Sequence, residues 1–145
     1  MIFFIVTIIL SLDQITKFLA SQKIAYNQSL PVIKGVFHLT LVHNRGAAFG
    51  ILRNQVPIFI AASVFAIILI LANLRNHKHG KLYSISLSLI LAGALGNFID
   101  RVFFGYVIDF LDFRIWPVFN LADSAITVGA VILGWSVLRE RKVKA

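Results

Sequence analysis

Four apolar runs of membrane-spanning length leave this chain little choice of fold. They cover residues 2–21, 56–74, 82–103 and 118–138. Each is close to the ~20 residues that a helix rising 1.5 Å per residue needs to cross a ~30 Å hydrocarbon core. The chain is 59% hydrophobic and 14% charged, against about 45–50% and about 25% for a globular domain. With a mean hydropathy of +0.86, it has too little polar surface to cover a water-soluble fold. A net charge of +8 could suggest nucleic acid, but the basic residues gather at the ends of the apolar runs and are not interleaved with aromatics. There they set orientation and attract anionic lipid. Cysteine is absent, which removes disulfides, thiolate chemistry and cysteine metal sites. No internal repeat or low-complexity tract is visible. The expectation is a single membrane domain over 1–145.

The first run carries Asp13, Gln14, Thr16 and Lys17. A cleavable signal peptide would have a positive start and an uninterrupted core, so a retained spanning helix is expected. Asp13 and Lys17 are four apart and share a helical face. A charged pair inside a span usually faces the bundle interior; the alternative is that both snorkel to the interface. Residues 22–55 behave differently. Pro31 and Gly35 punctuate them, and Phe37, Leu39 and Leu41 alternate with His38 and Thr40, the period of a half-buried strand. A small extracytoplasmic β-sheet is expected here, closed or packed on protein wherever it meets lipid. The second run holds no charge and reads as scaffold. In the loop after it, His77 and His79 lack a third ligand and read as a solvated connector. Gly93 and Gly96, with the pairs Ala125/Gly129 and Ala130/Gly134, offer small residues for close helix approach.

Lysine and arginine favour cytoplasmic loops. Arg75, Lys78 and Lys81 lie within one short loop and Arg139, Arg141, Lys142 and Lys144 in the tail, whereas residues 104–117 hold only Arg114. Four spans with both termini inside put the β segment and the 104–117 connection outside. Asp13, Asp100, Asp109, Asp112 and Asp123, five of the six acids, then converge on the outer side.

Four of those acids lie between Gly93 and Gly129, among Phe, Ile, Leu and Val. A carboxylate leaving water is costly to keep ionised unless partners compensate. Asn97, Asp100 and Arg101 share one face of the third run, and Asn120, Asp123 and Ser124 repeat that spacing on the fourth. Asp109 sits between, in a connection that Gly105 can bend back across the helix ends. Two close carboxylates cannot both ionise cheaply, so one holds a proton while the other acts as base. That apparatus can activate water against an amide carbonyl and protonate the leaving amine. Such a cluster also fits a buried ion-pair scaffold.

Five blocks in order, Asp13-Gln14-x-x-Lys17, Asn44-x-Gly46-Ala47-Ala48-Phe49, Gly96-Asn97-x-x-Asp100-Arg101, Val107-x-Asp109-Phe110 and Phe119-Asn120-x-Ala122-Asp123-Ser124, resemble the signature blocks of lipoprotein signal peptidase, or signal peptidase II. The resemblance covers nearly the whole chain. It implies an all-α membrane protein, a four-transmembrane-helix bundle with a small β-sheet on the extracytoplasmic side. It implies an aspartic peptidase of the bacterial cytoplasmic membrane that needs no cofactor or metal. The enzyme would cleave lipid-modified prolipoprotein signal peptides just before the diacylglyceryl-modified cysteine. The family's catalytic aspartates correspond to Asp109 and Asp123. Asp13, Lys17, Asn44, Gly46, Asn97, Asp100, Arg101, Asn120 and Ala122 correspond to positions that support the site or contact substrate or the inhibitor globomycin. Asp112 matches no block and reads as a loop residue.

Three rival classes remain. A metallohydrolase would want His/Asp clusters, and no His lies between Gly93 and Gly129. A small proton-coupled transporter spreads its acids along a path through both leaflets, and the inner half of this chain has almost none. A non-catalytic membrane scaffold needs no carboxylate cluster on one face. The charge asymmetry makes a topology prediction. A cysteine placed at His79 should be labelled from the cytoplasm and one at Asn27 from outside; labelling of both from the same side overturns it.

Overall fold

The computed structural model describes residues 1–46, 54–74 and 80–144. The Ala47-Ala48-Phe49 part of the second block and the His77/His79 loop lie outside the described residues, as do the side chains beyond Arg139. The order of elements is α1 (Ile2–Lys23), β1 (Ser29–Ile33), β2 (Phe37–Asn44), α2 (Val56–Leu74), α3 (Lys81–Phe104), β3 (Val107–Asp112) and α4 (Leu121–Lys144). All four helices are long and apolar enough to cross a membrane.

On α1 the burial is inverted relative to a soluble helix. Its buried residues are Asp13, Lys17 and Ala20, while Phe3, Phe4, Leu12, Ile15, Phe18 and Leu19 are exposed. Exposed apolar area costs about 25 cal/mol per Å2 in water and nothing in hydrocarbon. A helix with charge inside and phenylalanine outside is therefore stable only in a bilayer. α3 is the hub: it packs against α1, α2 and α4, whereas α2 touches only α3 among the described elements. Close approach is what makes this possible. A methyl group built on Gly96 would overlap the Asp13 carboxylate of α1, and one on Gly93 would overlap the Ala122 carbonyl of α4. Gly134, by contrast, has nothing within 4 Å among the described residues, so the Ala130/Gly134 pair packs no helix.

The sheet has three antiparallel strands in the order β1-β2-β3. β2 is the strand expected from alternation, with Leu41 buried against Ala20, Ile24, Ile108 and Phe110. β3 comes from the 104–117 connection. Asp109, expected in the connection between the third and fourth runs, lies there in a strand paired with β2 opposite Val42. Gly105 ends α3 in the left-handed region at φ 75°, which lets the chain turn back at once into β3. On its other side β3 meets Phe119 through an isolated bridge at Leu111. That bridge explains why α4 starts at Leu121 rather than 118. Phe119 is held to β3 by that bridge, and Asn120 caps the helix: its side-chain oxygen accepts the Asp123 amide at 2.9 Å, and the Asp123 carboxylate accepts the Asn120 amide at 3.3 Å.

Asp112 is a buried strand-end residue, not a loop residue. It accepts from Thr40 at 2.7 Å and from the Arg114 amide at 2.8 Å, and pairs with the Arg114 guanidinium at 2.9 Å. Burial pushes its carboxyl up, but those bonds outweigh burial and hold it below the usual carboxylate range.

The Gly96 contact generates a test. Gly96→Ala should force the Asp13 carboxylate of α1 away from α3 and lower stability by about 1–3 kcal/mol, the usual cost of overpacking. Thermal unfolding in detergent measures it, and an unchanged midpoint would show that the α1–α3 approach is not tight.

Candidate active site

The sheet end of the bundle gathers the polar residues of all the helices except α2 into one network. At its centre Lys17 is 1% exposed. Its ammonium lies 2.8 Å from Asp13 and 2.9 Å from Asp100 and donates to the Asn97 side-chain oxygen at 3.1 Å. The Asp13/Lys17 pair thus faces inward rather than snorkelling. Each partner fixes a further element. Asp13 accepts the Ala122 amide at 2.8 Å, a cap for the first turn of α4 supplied by α1, where the helix dipole favours an anion. Asp100 accepts the Ile108 amide at 3.1 Å and so holds the start of β3. Gln14 donates to both carboxylates, at 3.1 Å each.

Three asparagines carry the network to the remaining acids. Asn97 donates to Asp123 at 2.7 Å. Asn120 donates to Asp109 at 2.7 Å and to the Asn97 oxygen at 3.1 Å. Asn44, at the end of β2, donates to the other Asp109 oxygen at 2.9 Å and accepts the Gly46 amide at 2.9 Å. Asp109 and Asp123 line one groove of about 400 Å3, with Asn44, Gly46, Asn97 and Arg101. Arg101 sits over the Phe59 ring of α2 at 5.0 Å. Burial, and next the Asp123 charge, push the Asp109 carboxyl up to about 7; the Asn44 and Asn120 bonds and the Lys17 charge pull the other way. At neutral pH this pair can hold a proton on one member and a negative charge on the other.

The structure therefore brings together Asp109, Asp123, Asn44, Gly46, Asn97 and Arg101 on the groove, with Asn120 buried beneath Asp109 and Asp13, Lys17, Asp100 and Ala122 behind it. Asp112 stands apart with Thr40 and Arg114. Sequence reasoning missed Gln14 as a donor to the ion cluster, although its place beside Asp13 on the Lys17 face was a signal. It also missed Phe59 and Trp116 as groove walls; apolar residues in a membrane chain carry no signal of that kind.

A bundle of four membrane-crossing helices, with two carboxylates in an amide-lined groove at one end, defines the class as a membrane protein built around a paired-acid site. Residues 5–139 match the family described as Signal peptidase (SPase) II. The chain is 48% identical over 143 residues to the lipoprotein signal peptidase of Halothermothrix orenii, covering 99% of both chains. It is 52% identical over 132 residues to that of Moorella thermoacetica, covering 90% of this chain and 88% of the other. A solved structure of a bacterial membrane enzyme superposes with a TM-score of 0.93 at 32% identity, covering 99% of this chain and 91% of that one. The chain belongs to the signal peptidase II family.

The ion cluster generates its own test. Lys17→Met leaves two buried carboxylates without their cation and should cost about 3–5 kcal/mol. Adding Asp100→Asn should recover part of the loss. A single variant as stable as the parent in thermal unfolding would show that Lys17 does not hold the bundle.

Proposed function

We propose that the chain is an aspartic endopeptidase of the bacterial cytoplasmic membrane, with Asp109 and Asp123 as its catalytic pair. It removes signal peptides from prolipoproteins, the activity its family supports. The observation that carries the aspartic reading is the raised Asp109 carboxyl facing a second carboxylate in an amide-lined groove. One carboxylate takes a proton from water, whose oxygen adds to the scissile carbonyl carbon. The protonated carboxyl donates to the carbonyl oxygen. Collapse of the tetrahedral adduct returns a proton to the leaving amine and breaks the C–N bond. Asn44, Asn97 and Asn120 fix the two carboxyl groups; Arg101, at the groove wall, offers a donor for the substrate backbone. Cleavage falls just before the diacylglyceryl-modified cysteine, at the outer face. Both termini are cytoplasmic, and globomycin occupies the same groove.

The rival readings as transporter or scaffold gain nothing from the geometry, because the described buried ionisable groups sit at one end of the bundle.

The working form carries one proton on the pair. Because the Asp109 carboxyl stands near 7, that proton is held below about pH 7 and lost above it, so the alkaline limb of the rate profile should fall there, as the second proton closes the acid limb. Chelators should have no effect. In single-turnover cleavage of a lipidated substrate, Asp109→Asn and Asp123→Asn should each abolish turnover in protein that still folds and binds globomycin. The two losses should be non-additive. Asp100→Asn should lower stability and keep some turnover. A folded, binding Asp100→Asn that is dead beside an active Asp109→Asn would make the pair Asp100 and Asp123 instead.

A further inference from the structure

A second recess lies where α1 and α3 leave the membrane, and it shares no described lining residue with the groove of the paired acids. It encloses about 630 Å3 between Phe18 and Ser21 of α1, Phe104 at the end of α3, and Ile24, Leu41 and Ile108; Gln14, Lys17 and Asp100 of the ion cluster also line it. Ligand pockets commonly enclose about 300–1,000 Å3. Exposed Phe18 and Phe104 line it, side chains of the kind that a spanning helix presents to hydrocarbon.

Beyond the helix ends it adjoins a polar chamber of about 500 Å3, lined by Tyr26, His43, Arg45 and Asn54. Tyr26 and His43 line both compartments. The wall between them is a stack of rings. His43 lies 4.6 Å from Tyr26 and 4.0 Å from Tyr106, and Tyr106 lies 6.1 Å from Phe104. Burial, and next the Arg45 charge, lower the His43 pKa, so at neutral pH its ring is an uncharged plate in that stack. Aromatic side chains with one apolar and one wet end are suited to the headgroup level. The Asn54 amide donates to the Arg45 carbonyl at 3.0 Å and ties the two chamber residues together. No acidic residue lines the chamber among the described residues, and the exposed Arg45 is its fixed charge.

A mainly apolar slot at acyl depth, whose lining Lys17 and Asp100 are buried and paired with each other, adjoins a basic chamber at headgroup depth, and together they are complementary to one molecule with both characters. We propose that these two compartments form a single phospholipid site. It holds one anionic glycerophospholipid from the leaflet on the sheet side, with an acyl chain between α1 and α3 and its phosphate against Arg45 and Asn54. A peptide fits less well: the slot lies against helix faces whose backbone groups are already bonded, so an extended chain finds few partners there. A phosphate accepts charge-assisted bonds from a guanidinium and an amide without any rearrangement. The inference does not rest on the peptidase reading, since its readout is lipid retention and not turnover.

The test uses the full chain in detergent, loaded with phosphatidylglycerol, with retained lipid counted by native mass spectrometry. Arg45→Ala probes the chamber, and Ser21→Trp fills the slot from an exposed position. Lys34→Ala, an exposed basic residue lining neither compartment, is the control. Wild type and Lys34→Ala should keep one lipid per protein. Each of the other two should lose affinity about tenfold, the worth of one charge-assisted bond or of a blocked chain, with unfolding midpoints unchanged. Diacylglycerol of the same chains should be retained more weakly, and inorganic phosphate should not compete. Equal retention by wild type and both variants would reduce the lipid to a nonspecific annulus and overturn the proposal. So would equal retention of diacylglycerol, or one-for-one displacement of the lipid by an apolar signal-peptide segment.

Discussion

The Lys17 ammonium is the junction on which the arrangement depends. In lipid, apolar side chains gain nothing by leaving their surroundings for one another, so helix order must come from close packing and from polar links. Lys17 supplies three such links from one buried atom, to Asp13, Asp100 and Asn97. Each of those residues then holds an element that carries the site. Through Asp13 the first turn of α4 is fixed, through Asp100 the start of β3, and through Asn97 the Asp123 carboxylate itself. The helix that positions Asp123 and the strand that positions Asp109 are therefore each one residue away from the same cation. Two carboxylates against one ammonium would leave a net negative charge, and the α4 N-terminus offsets part of it at Asp13.

This arrangement also explains the tolerance of small helices for large charge. An isolated charge at the bilayer centre is costly, by amounts that range from about 2.5 kcal/mol upward. Here the ion cluster sits at the sheet end of α1 and α3, is closed by Gln14 and the Ala122 amide, and leaves each described carboxylate oxygen of Asp13 with a partner. Gly96 is what lets the cluster close, since any side chain there would occupy the volume of the Asp13 carboxylate.

Much of this was legible in the sequence. Four apolar runs gave four helices, and α2 occupies the same residues, 56–74, in both. The i,i+4 spacing of Asp13 and Lys17 implied a pair, and the scarcity of acids made each one informative. Two things were hidden. β3 reads Val-Ile-Asp-Phe-Leu-Asp, and it is buried almost throughout, so no period-two alternation marks it. The start of α4 was hidden for a related reason: Val118 and Phe119 are as apolar as the helix they precede, and only the reciprocal bonds of Asn120 and Asp123 reveal the boundary. The same error in register would have put Asn120 on a helix face, whereas its place just before the helix lets its amide reach back to Asp109. The recess between α1 and α3 left no trace in the sequence, because its walls come from four separate elements.

On the proposed aspartic mechanism, the choice of asparagine around the acids follows from what the pair would have to do. A buried carboxyl with no donors would stay protonated far above neutrality, and then neither member could act as base. Arginine or lysine in direct contact would hold both members ionised and leave no proton to give. Neutral amides stand between these limits: they favour the ionised form by hydrogen bonding but add no full charge. Asp109 has two such donors, Asn44 and Asn120, and its carboxyl comes to rest near 7, between the extremes. The full positive charge of Lys17 is kept one residue behind, in contact with Asp13 and Asp100 and separated from Asp123 by the Asn97 side chain. Asn97 thus transmits position from the cation to the carboxylate while attenuating its charge. A glutamine there would add a methylene and shift that contact, whereas an aspartate would bind Lys17 as a third carboxylate and repel Asp123. Of the side chains that could bridge an ammonium to a carboxylate at this spacing, one that accepts at one atom and donates at the other without a charge of its own is the amide.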